Sequence, residues 1–377
     1  MYDMLIRGGT VIDPSQGIDA VQDVAITDGK VAAVEASINV NLAKEVIEAK
    51  DMIVTPGLID MHVHAYPGVC CYGLEPDVTN IARGVTTAMD CGSAGARTFP
   101  AFRQHFIERA ETRLYALLNI STMGIISSKI GELDDMRWAD VEETAEAGRT
   151  NRDVVLGVKV RLSGDVVAMD DKLDALKRGI EAAESFGGIV MIHVGDKETP
   201  LETLTTHLRP GDVVTHAFRQ WGGVASAHRD VVAELREARA RGIIFDVGHG
   251  AGSCSFDTIE TALANEFQPD TISSDVSTIS VEGPVFDLVT TMSKFLHYGM
   301  ELDDVVRCTT EAPAQVMGLG EDLGTLRPGA NGDVTVLSLD EGEFTFTDAE
   351  GKTTRAGQKL NPVSTIKGGR LYRPWLR

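Results

Sequence analysis

Two histidines separated by one residue, His62 and His64, end an apolar run that reads Val-Thr-Pro-Gly-Leu-Ile-Asp-Met-His-Val-His. On a β-strand, residues two positions apart point to the same face, so this pair would present two imidazoles side by side to one metal ion. The pair alone is weak evidence, because histidines on a strand face are often only polar surface. The interpretation gains weight from four further residues, each near the end of a separate predicted strand: Lys159, His193, His216 and Asp275.

Apolar, strand-like runs alternate with helix-friendly segments through the middle of the chain. The predicted strands are 53–63, 85–89, 114–120, 154–160, 189–193, 213–216, 243–247 and 271–274, and the predicted helices include 102–112, 173–186, 231–241 and 256–266. Eight strands with intervening helices predict an α/β fold of the (β/α)8 TIM barrel type. Because a barrel gathers functional residues at the carboxyl ends of its strands, the six residues above should converge on one face.

The two ends of the chain share a different pattern, of short strands with Gly-containing turns. Asp28-Gly29 is a hairpin signal near the N-terminus, and an alternating run begins at Asp333 in the C-terminal part. We therefore expect a small β-sandwich domain built from residues 1–53 and 323–377, with the barrel spanning residues 54–322.

The composition is that of a globular protein and argues against several kinds of partner. The 377 residues are 43% hydrophobic and 24% charged, with a net charge of −21 and no basic run, so we expect no nucleic-acid partner. No apolar run reaches the ~18 residues of a membrane helix, so no membrane partner is expected. The five cysteines lack C-x-x-C spacing, which favours reduced thiols and a cytoplasmic location. A small-molecule substrate and a homo-oligomer are expected.

The chemistry of these six residues is compatible with a centre of two metal ions. Neutral imidazoles and carboxylates suit zinc and similar divalent ions. Two ions held close together need a shared anion to offset their repulsion, and a lysine ammonium cannot serve because it is a cation without a lone pair. A lysine carbamylated by CO₂ becomes a carboxylate on a long stem, which can bridge two metals.

These motifs resemble those of the amidohydrolase superfamily of metal-dependent hydrolases, in its binuclear metal subtype. The resemblance rests on the run that ends in His62 and His64, on Val-Lys-Val-Arg around Lys159, on Ile-His-Val at His193, on Thr-His-Ala at His216 and on Ser-Ser-Asp-Val at Asp275. It covers nearly the whole chain and is nearest to dihydroorotase-like and N-acyl amino acid deacetylase members. A narrower group with a late Gly-His-Gly-Ala-Gly-Ser stretch is associated with cleavage of acetylated small acids.

The resemblance implies a role for each ligand. His62, His64 and Asp275 would hold the more buried ion, and His193 and His216 the more exposed one. Carbamylated Lys159 would bridge both ions, together with a water or hydroxide whose pKa the metals lower towards neutrality. Asp275 would accept the proton of this nucleophile and pass it to the leaving group.

Three further residues are candidates for contact with substrate. Arg161 should share the strand face of Lys159 and could clamp a substrate carboxylate, although a salt bridge in the barrel mouth is an equally good interpretation. His249, between two glycines, could hydrogen-bond substrate or stabilise a developing oxyanion. Tyr66, close after the histidine pair, is a weaker candidate for the same pocket.

The sequence thus predicts a binuclear metal-dependent hydrolase that cleaves an amide or ester bond. Two divalent ions with a carbamate, an aspartate and a hydroxide leave a charge of about +1, which favours a small carboxylate-bearing substrate such as an N-acyl amino acid or an O-acetyl α-hydroxy acid. One alternative is a cyclic amidohydrolase that resembles dihydroorotase or hydantoinase. Another, of a different class, is a non-catalytic dihydroorotase-like scaffold.

Overall fold

The computed structural model of the protein describes residues 1–195, 200–225 and 230–374. Its strands form two sheets. The strands are β1 Tyr2–Asp13, β2 Ile18–Thr27, β3 Lys30–Glu35, β4 Ala43–Glu48, β5 Ile53–Pro56, β6 Leu58–Val63, β7 Val85–Gly95, β8 Arg113–Asn119, β9 Val155–Arg161, β10 Ile189–His193, β11 Val213–Thr215, β12 Ile244–Phe245, β13 Val334–Thr347, β14 Thr353–Lys367 and β15 Arg370–Tyr372.

The first sheet takes strands from both ends of the chain. Its order is β15-β14-β13-β5-β1-β2-β3, and β4 pairs in parallel with β1. Residues alternate between its faces: Met4 and Ile6 pack into one apolar cluster, whereas Leu5 packs against Ile38 on the other side. The predicted sandwich of two packed sheets is not confirmed, because all eight strands belong to one hydrogen-bonded sheet. The domain boundaries stay a prediction.

The second sheet consists of seven parallel strands in sequential order, β6 to β12. The segment 271–276 bridges both of its edges, through Asp246 with Thr271 and through Val63 with Val276. This segment therefore takes the place of the eighth predicted strand, although it forms only isolated bridges. The strands β6 and β7 are buried throughout, as expected for parallel strands that are covered on both faces.

The helices of the described residues lie mostly between the strands of the second sheet. They are α1 Pro76–Thr79, α2 Phe99–Phe102, α3 Val141–Thr150, α4 Lys172–Glu184, α5 Leu201–Thr205, α6 Ala233–Ala240, α7 Phe256–Ala264, α8 Leu288–His297, α9 Leu302–Arg307 and α10 Glu311–Val316. The predicted helix 102–112 is wrong in its bounds, because a π-helical turn over Arg103–Ile107 follows α2 and the chain then enters β8. Within the described ranges, no helix has both the length and the apolar character needed to cross a membrane.

The chain passes from the first sheet to the second at Gly57, so the single strand predicted for 53–63 is two strands. A Cβ added to Gly57 would lie 2.3 Å from Oγ1 of Thr86 and 2.8 Å from Cβ of Asp333, so only glycine fits without movement. Asp333 is buried and joins the sheets: its carbonyl accepts from the amide of Gly57 at 2.8 Å, and its carboxylate accepts from the amide of Gly368 at 2.9 Å and pairs with Arg113.

We expect Asp333→Ala to lower the free energy of unfolding by about 2–3 kcal/mol, because it leaves the partly buried guanidinium of Arg113 without its carboxylate and the amide of Gly368 without its acceptor. Asp340, an exposed residue of β13, provides a matched control, for which Asp340→Ala should change stability by less than about 0.5 kcal/mol. Urea unfolding followed by circular dichroism compares the two. Equal denaturant midpoints would show that the sheets are not joined through this carboxylate.

Candidate metal centre

One cavity of about 250 Å³ is lined by all six residues predicted to bind metal. His62 lies near the end of β6 and His64 just beyond it, whereas Lys159 and His193 lie on β9 and β10. The other two are His216, which follows β11, and Asp275, which lies near the end of the bridge-forming segment 271–276. The carboxyl ends of five barrel positions therefore meet at this cavity, as the fold predicts.

The side chains approach one another closely. Ligand atoms of His62, His216 and Asp275 all lie within 4.8 Å of one another. Oδ1 of Asp275 is 3.3 Å from Nε2 of His64 and 3.6 Å from Nε2 of His62. The rings of His193 and His216 have centroids 4.4 Å apart. Four imidazoles and a carboxylate are thus gathered where a divalent ion finds the ligands it prefers.

Lys159 is buried at the base of the cavity without a good hydrogen-bond partner. Its Nζ atom is 3.5 Å from Nε2 of His62 and 3.3 Å from the sulfur of Met191. Within the described ranges it meets no carboxylate at ion-pair distance. Burial lowers the pKa of its ammonium. A cation in this position is poorly compensated, whereas an amine that had taken up CO₂ would present an anion to the ligand cluster.

Hydrogen bonds to the Nδ1 atoms fix the tautomers of two of the histidines. The Thr215 hydroxyl donates to Asp246 at 2.7 Å, so it accepts from Nδ1 of His62 at 2.8 Å. The carbonyl of Gly248 accepts from Nδ1 of His216 at 2.6 Å. In both rings the proton is on Nδ1, and the lone pair of Nε2 is left for a metal ion.

Three of the four imidazoles are held in the neutral form that can bind metal. Burial lowers the pKa of His216 to about 3, and burial lowers the pKa of His62 and of His193 well below the usual value. Neutral imidazole is the ligand form, since a protonated ring has no lone pair to donate. The donor set therefore fits a pair of divalent ions.

The backbone is strained at two of these residues. His216 has φ +63° and Asp275 has φ +48°, in the left-handed region that side chains with a Cβ seldom adopt. Such conformations cost about 1–3 kcal/mol each and persist where the surroundings enforce them, typically at functional sites. Two glycines of the neighbouring loop make close approach possible: an added Cβ at Gly248 would lie 2.2 Å from Oγ1 of Thr215, and one at Gly250 would lie 2.4 Å from Oδ2 of Asp275.

Comparison with known proteins places this site in a family. The model of the amidohydrolase family matches residues 53–372. A deacetylase from Enterococcus faecalis is 32% identical, over 98% of this chain and 99% of the relative, and a deacetylase from Agrobacterium fabrum is 34% identical, over 90% and 84%. The chain belongs to the amidohydrolase family. These relatives indicate that it is a hydrolase, which argues against the non-catalytic alternative.

Solved structures support the same conclusion. An adenine deaminase superposes on this amidohydrolase with a TM-score of 0.92 and 32% identity, covering 99% of this chain and 100% of the other. A dihydroorotase superposes with a TM-score of 0.89 and 30% identity, covering 98% and 99%. The predicted TIM barrel is thereby confirmed, and so is the resemblance from which the family was predicted.

The three residues predicted to contact substrate lie in different surroundings. Arg161 lines the cavity of the amidohydrolase beside the ligand cluster, with its guanidinium on buried Glu132. His249 is fully buried behind the wall, and Tyr66 is buried with its hydroxyl 3.2 Å from the carbonyl of Thr98. Neither of the last two lines the cavity, so their contact with substrate stays a prediction.

Several residues that shape the site escaped sequence reasoning. Thr215 and Asp246 orient His62, but their importance depends on a contact between neighbouring strands that spacing does not reveal. Glu132 lies on a long loop after β8 and has no motif around it. The adjacency of Thr215 to His216 is the one signal that could have drawn attention to this threonine.

Gly250→Ala should disturb the centre without replacing any residue predicted to bind metal. The new Cβ would displace the Asp275 carboxylate, and the left-handed φ of +50° would strain an alanine by about 1 kcal/mol. We expect zinc affinity and kcat/KM to fall at least about tenfold. Gly357→Ala is the matched control, because that glycine has open space around it and an ordinary φ. Unchanged zinc affinity in Gly250→Ala would show that Asp275 tolerates the movement.

Proposed function

We propose that this amidohydrolase holds two divalent zinc ions and removes an acyl group from a small carboxylate-bearing substrate. His62, His64 and Asp275 would hold one ion, His193 and His216 the other, and Lys159 would bridge them as its carbamate. The observation that supports this most directly is the convergence of six such residues on one cavity with Arg161 in its wall. When bound, the ions would activate a water for attack and polarise the carbonyl of the substrate.

Asp275 is the proposed acid–base residue. Its ion-pair partners among the described residues are two histidines, so no lysine or arginine neutralises the carboxylate. Its side chain is 17% exposed, at the wall of the cavity. The carboxylate would take a proton from the attacking water and return it to the leaving nitrogen or oxygen, so that one group serves as base and then as acid.

Arg161 is the proposed anchor for the carboxylate of the substrate. Its Nη1 atom donates to both oxygens of Glu132, at 3.1 and 3.0 Å, which fixes the orientation of the guanidinium. The described parts of the chain provide no hydrogen-bond partner for its Nε and Nη2 atoms. These donors face a cavity that also contains the ring of Tyr72, 5.9 Å from Cζ. A planar guanidinium held in this way suits two parallel hydrogen bonds to a carboxylate.

The names of the relatives support an acyl group, rather than a cyclic amide, as the target of hydrolysis. Those from Brucella anthropi, Agrobacterium fabrum and Enterococcus faecalis are named deacetylases, at 32–34% identity. A dihydroorotase from Citrifermentans bemidjiense is less similar, at 28%. We therefore place N-acyl amino acids and O-acetyl α-hydroxy acids first, and cyclic amides second.

A substrate panel tests this order. The zinc-loaded enzyme is assayed with N-acetyl amino acids of both configurations, O-acetyl α-hydroxy acids, and cyclic ureides such as dihydroorotate and hydantoins, by release of acetate or by ring opening. We expect turnover of at least one acetylated acid and little of the cyclic compounds. Ring opening without acetate release would favour the cyclic amidohydrolase instead.

Lys159→Ala should abolish the bridge between the ions. We expect the variant to retain less than two zinc ions per chain and to lose at least about 100-fold in kcat/KM. Elemental analysis after dialysis against zinc and bicarbonate measures the metal, and bicarbonate should speed recovery of metal-stripped wild type but not of the variant. Lys177→Ala, at an exposed lysine on α4, is the control. Two zinc ions and full turnover in Lys159→Ala would rule out the bridging role.

Arg161→Met should raise KM for a carboxylate substrate by about 10- to 100-fold, the range for a lost charge-assisted hydrogen-bonded pair. The methyl ester of the same substrate, which has no carboxylate, should be affected much less. Because the single change leaves Glu132 buried and unpaired, the variant Arg161→Met with Glu132→Gln is tested in parallel. Equal losses for the acid and its methyl ester would show that Arg161 does not recognise the carboxylate.

A further inference from the structure

A buried lysine behind the cavity makes three hydrogen bonds that no metal ligand shares. Lys294, on α8, is fully buried, and its Nζ atom donates to Nε2 of His249 at 2.7 Å and to the carbonyls of Pro284 and Thr347, both at 2.8 Å. An ammonium has three donors, so all are used. No carboxylate pairs with it among the residues described, although burying an ammonium in this way is costly. The arrangement calls for an explanation beyond packing.

The first of these bonds defines the state of His249. Its Nδ1 atom is 2.9 Å from the carbonyl of Gly250, which can only accept, so Nδ1 carries the proton and Nε2 accepts from Lys294. Both ring nitrogens of this fully buried histidine are therefore occupied within the protein. The ring connects the lysine to the backbone of the next residue.

That backbone lies directly against a proposed metal ligand. The amides of His249 and Gly250 donate to the carbonyls of Ser273 and Ser274, at 3.2 and 3.0 Å. The Cα of Gly250 approaches the carboxylate of Asp275 so closely that an added Cβ would lie 2.4 Å from Oδ2. A shift of this loop by a few tenths of an ångström would therefore move the carboxylate or open a gap beside it.

We propose that Lys294 is a positioning residue for the metal centre: through His249 it holds the loop 248–250 against Asp275 and so fixes the carboxylate in its ligating position. This inference rests on the proposed function, since it assumes that Asp275 binds metal. The carbonyl of Thr347 belongs to the end of β13, so the clamp also connects the sheet formed by the chain termini with the active-site loop. Lys294 itself does not line the cavity.

Cobalt(II) binding to metal-stripped protein tests the proposal without any substrate. The visible absorption bands of bound Co²⁺ depend on ligand geometry, and titration against a chelator gives the affinity. We expect Lys294→Met to alter these bands and to weaken Co²⁺ binding by about 10- to 100-fold, the usual effect of losing an outer partner of a metal ligand. In the zinc enzyme, kcat should fall by a similar factor while KM changes less than about threefold.

Lys352→Met is the matched control, because Lys352 is a half-exposed lysine in the turn between β13 and β14, near Thr347, and is paired with Asp257. The Lys352→Met variant should bind Co²⁺ with the same visible absorption bands as the wild type. If Lys294→Met does not fold by circular dichroism, His249→Leu decides the question, since it keeps two carbonyl acceptors for the lysine and breaks the same connection. His249→Gln, which retains an acceptor, should restore the bands, and adding Lys294→Met to His249→Leu should cause no further loss.

Unaltered Co²⁺ bands and affinity in folded Lys294→Met would overturn the proposal. So would a raised KM in His249→Leu with unchanged Co²⁺ bands, because that result would mean that His249 contacts substrate. Failure of the wild type to hydrolyse any compound of the panel would count against the proposed substrate class alone, since the Co²⁺ measurement does not depend on it.

Discussion

The burial of several imidazoles around one cavity is the constraint on which the rest of this structure depends. A buried imidazole has two polar nitrogens, and leaving either unsatisfied costs free energy. The protein satisfies Nδ1 of His62 through Thr215 and Nδ1 of His216 through a carbonyl, and leaves the Nε2 atoms to face the cavity. Strained backbone at His216 and glycines in the adjoining loop follow from the need to bring these rings together.

Buried carboxylates beneath the cavity hold the strand ends that carry the ligands. Asp60 accepts from the amides of His62 and Ser274, at 3.3 and 3.0 Å, and so ties the first barrel strand to the eighth segment where regular pairing is absent. Asp246 accepts from three hydroxyls, those of Thr215, Thr271 and Ser273. Burial raises the pKa of Asp60 to about 7 and that of Asp246 above its usual value, and in each case the donors oppose the shift. Closure of the barrel and orientation of the ligands thus share one hydrogen-bond network.

Sequence reasoning located the barrel and the cluster because both depend on local signals. Apolar runs predicted eight strands, of which seven pair regularly, and an imidazole, lysine or aspartate at the carboxyl end of a strand lies on the face where a barrel gathers functional residues. It did not reveal that residues 53–63 form two strands, because the break at Gly57 is dictated by the side chains of Thr86 and Asp333, which are distant in sequence. Nor did it reveal the surroundings of His249, whose ring contacts Lys294 and whose neighbour Gly250 closely approaches Asp275.

The sheet formed by both chain termini also affects the site, although it does so through contacts behind the cavity and not through residues that line it. The turn after β13 places buried Asp348 at the start of α7, where its carboxylate accepts from the amide of Phe256 at 2.9 Å. The preceding carbonyl, of Thr347, accepts from Lys294, which also donates to His249. A segment near the C-terminus therefore contacts Lys294, whose partner His249 belongs to the loop after the seventh strand. That loop also contacts Asp275. The terminal sheet therefore completes the wall behind a proposed metal ligand, and this contact is a physical reason for the sheet to remain attached to the barrel.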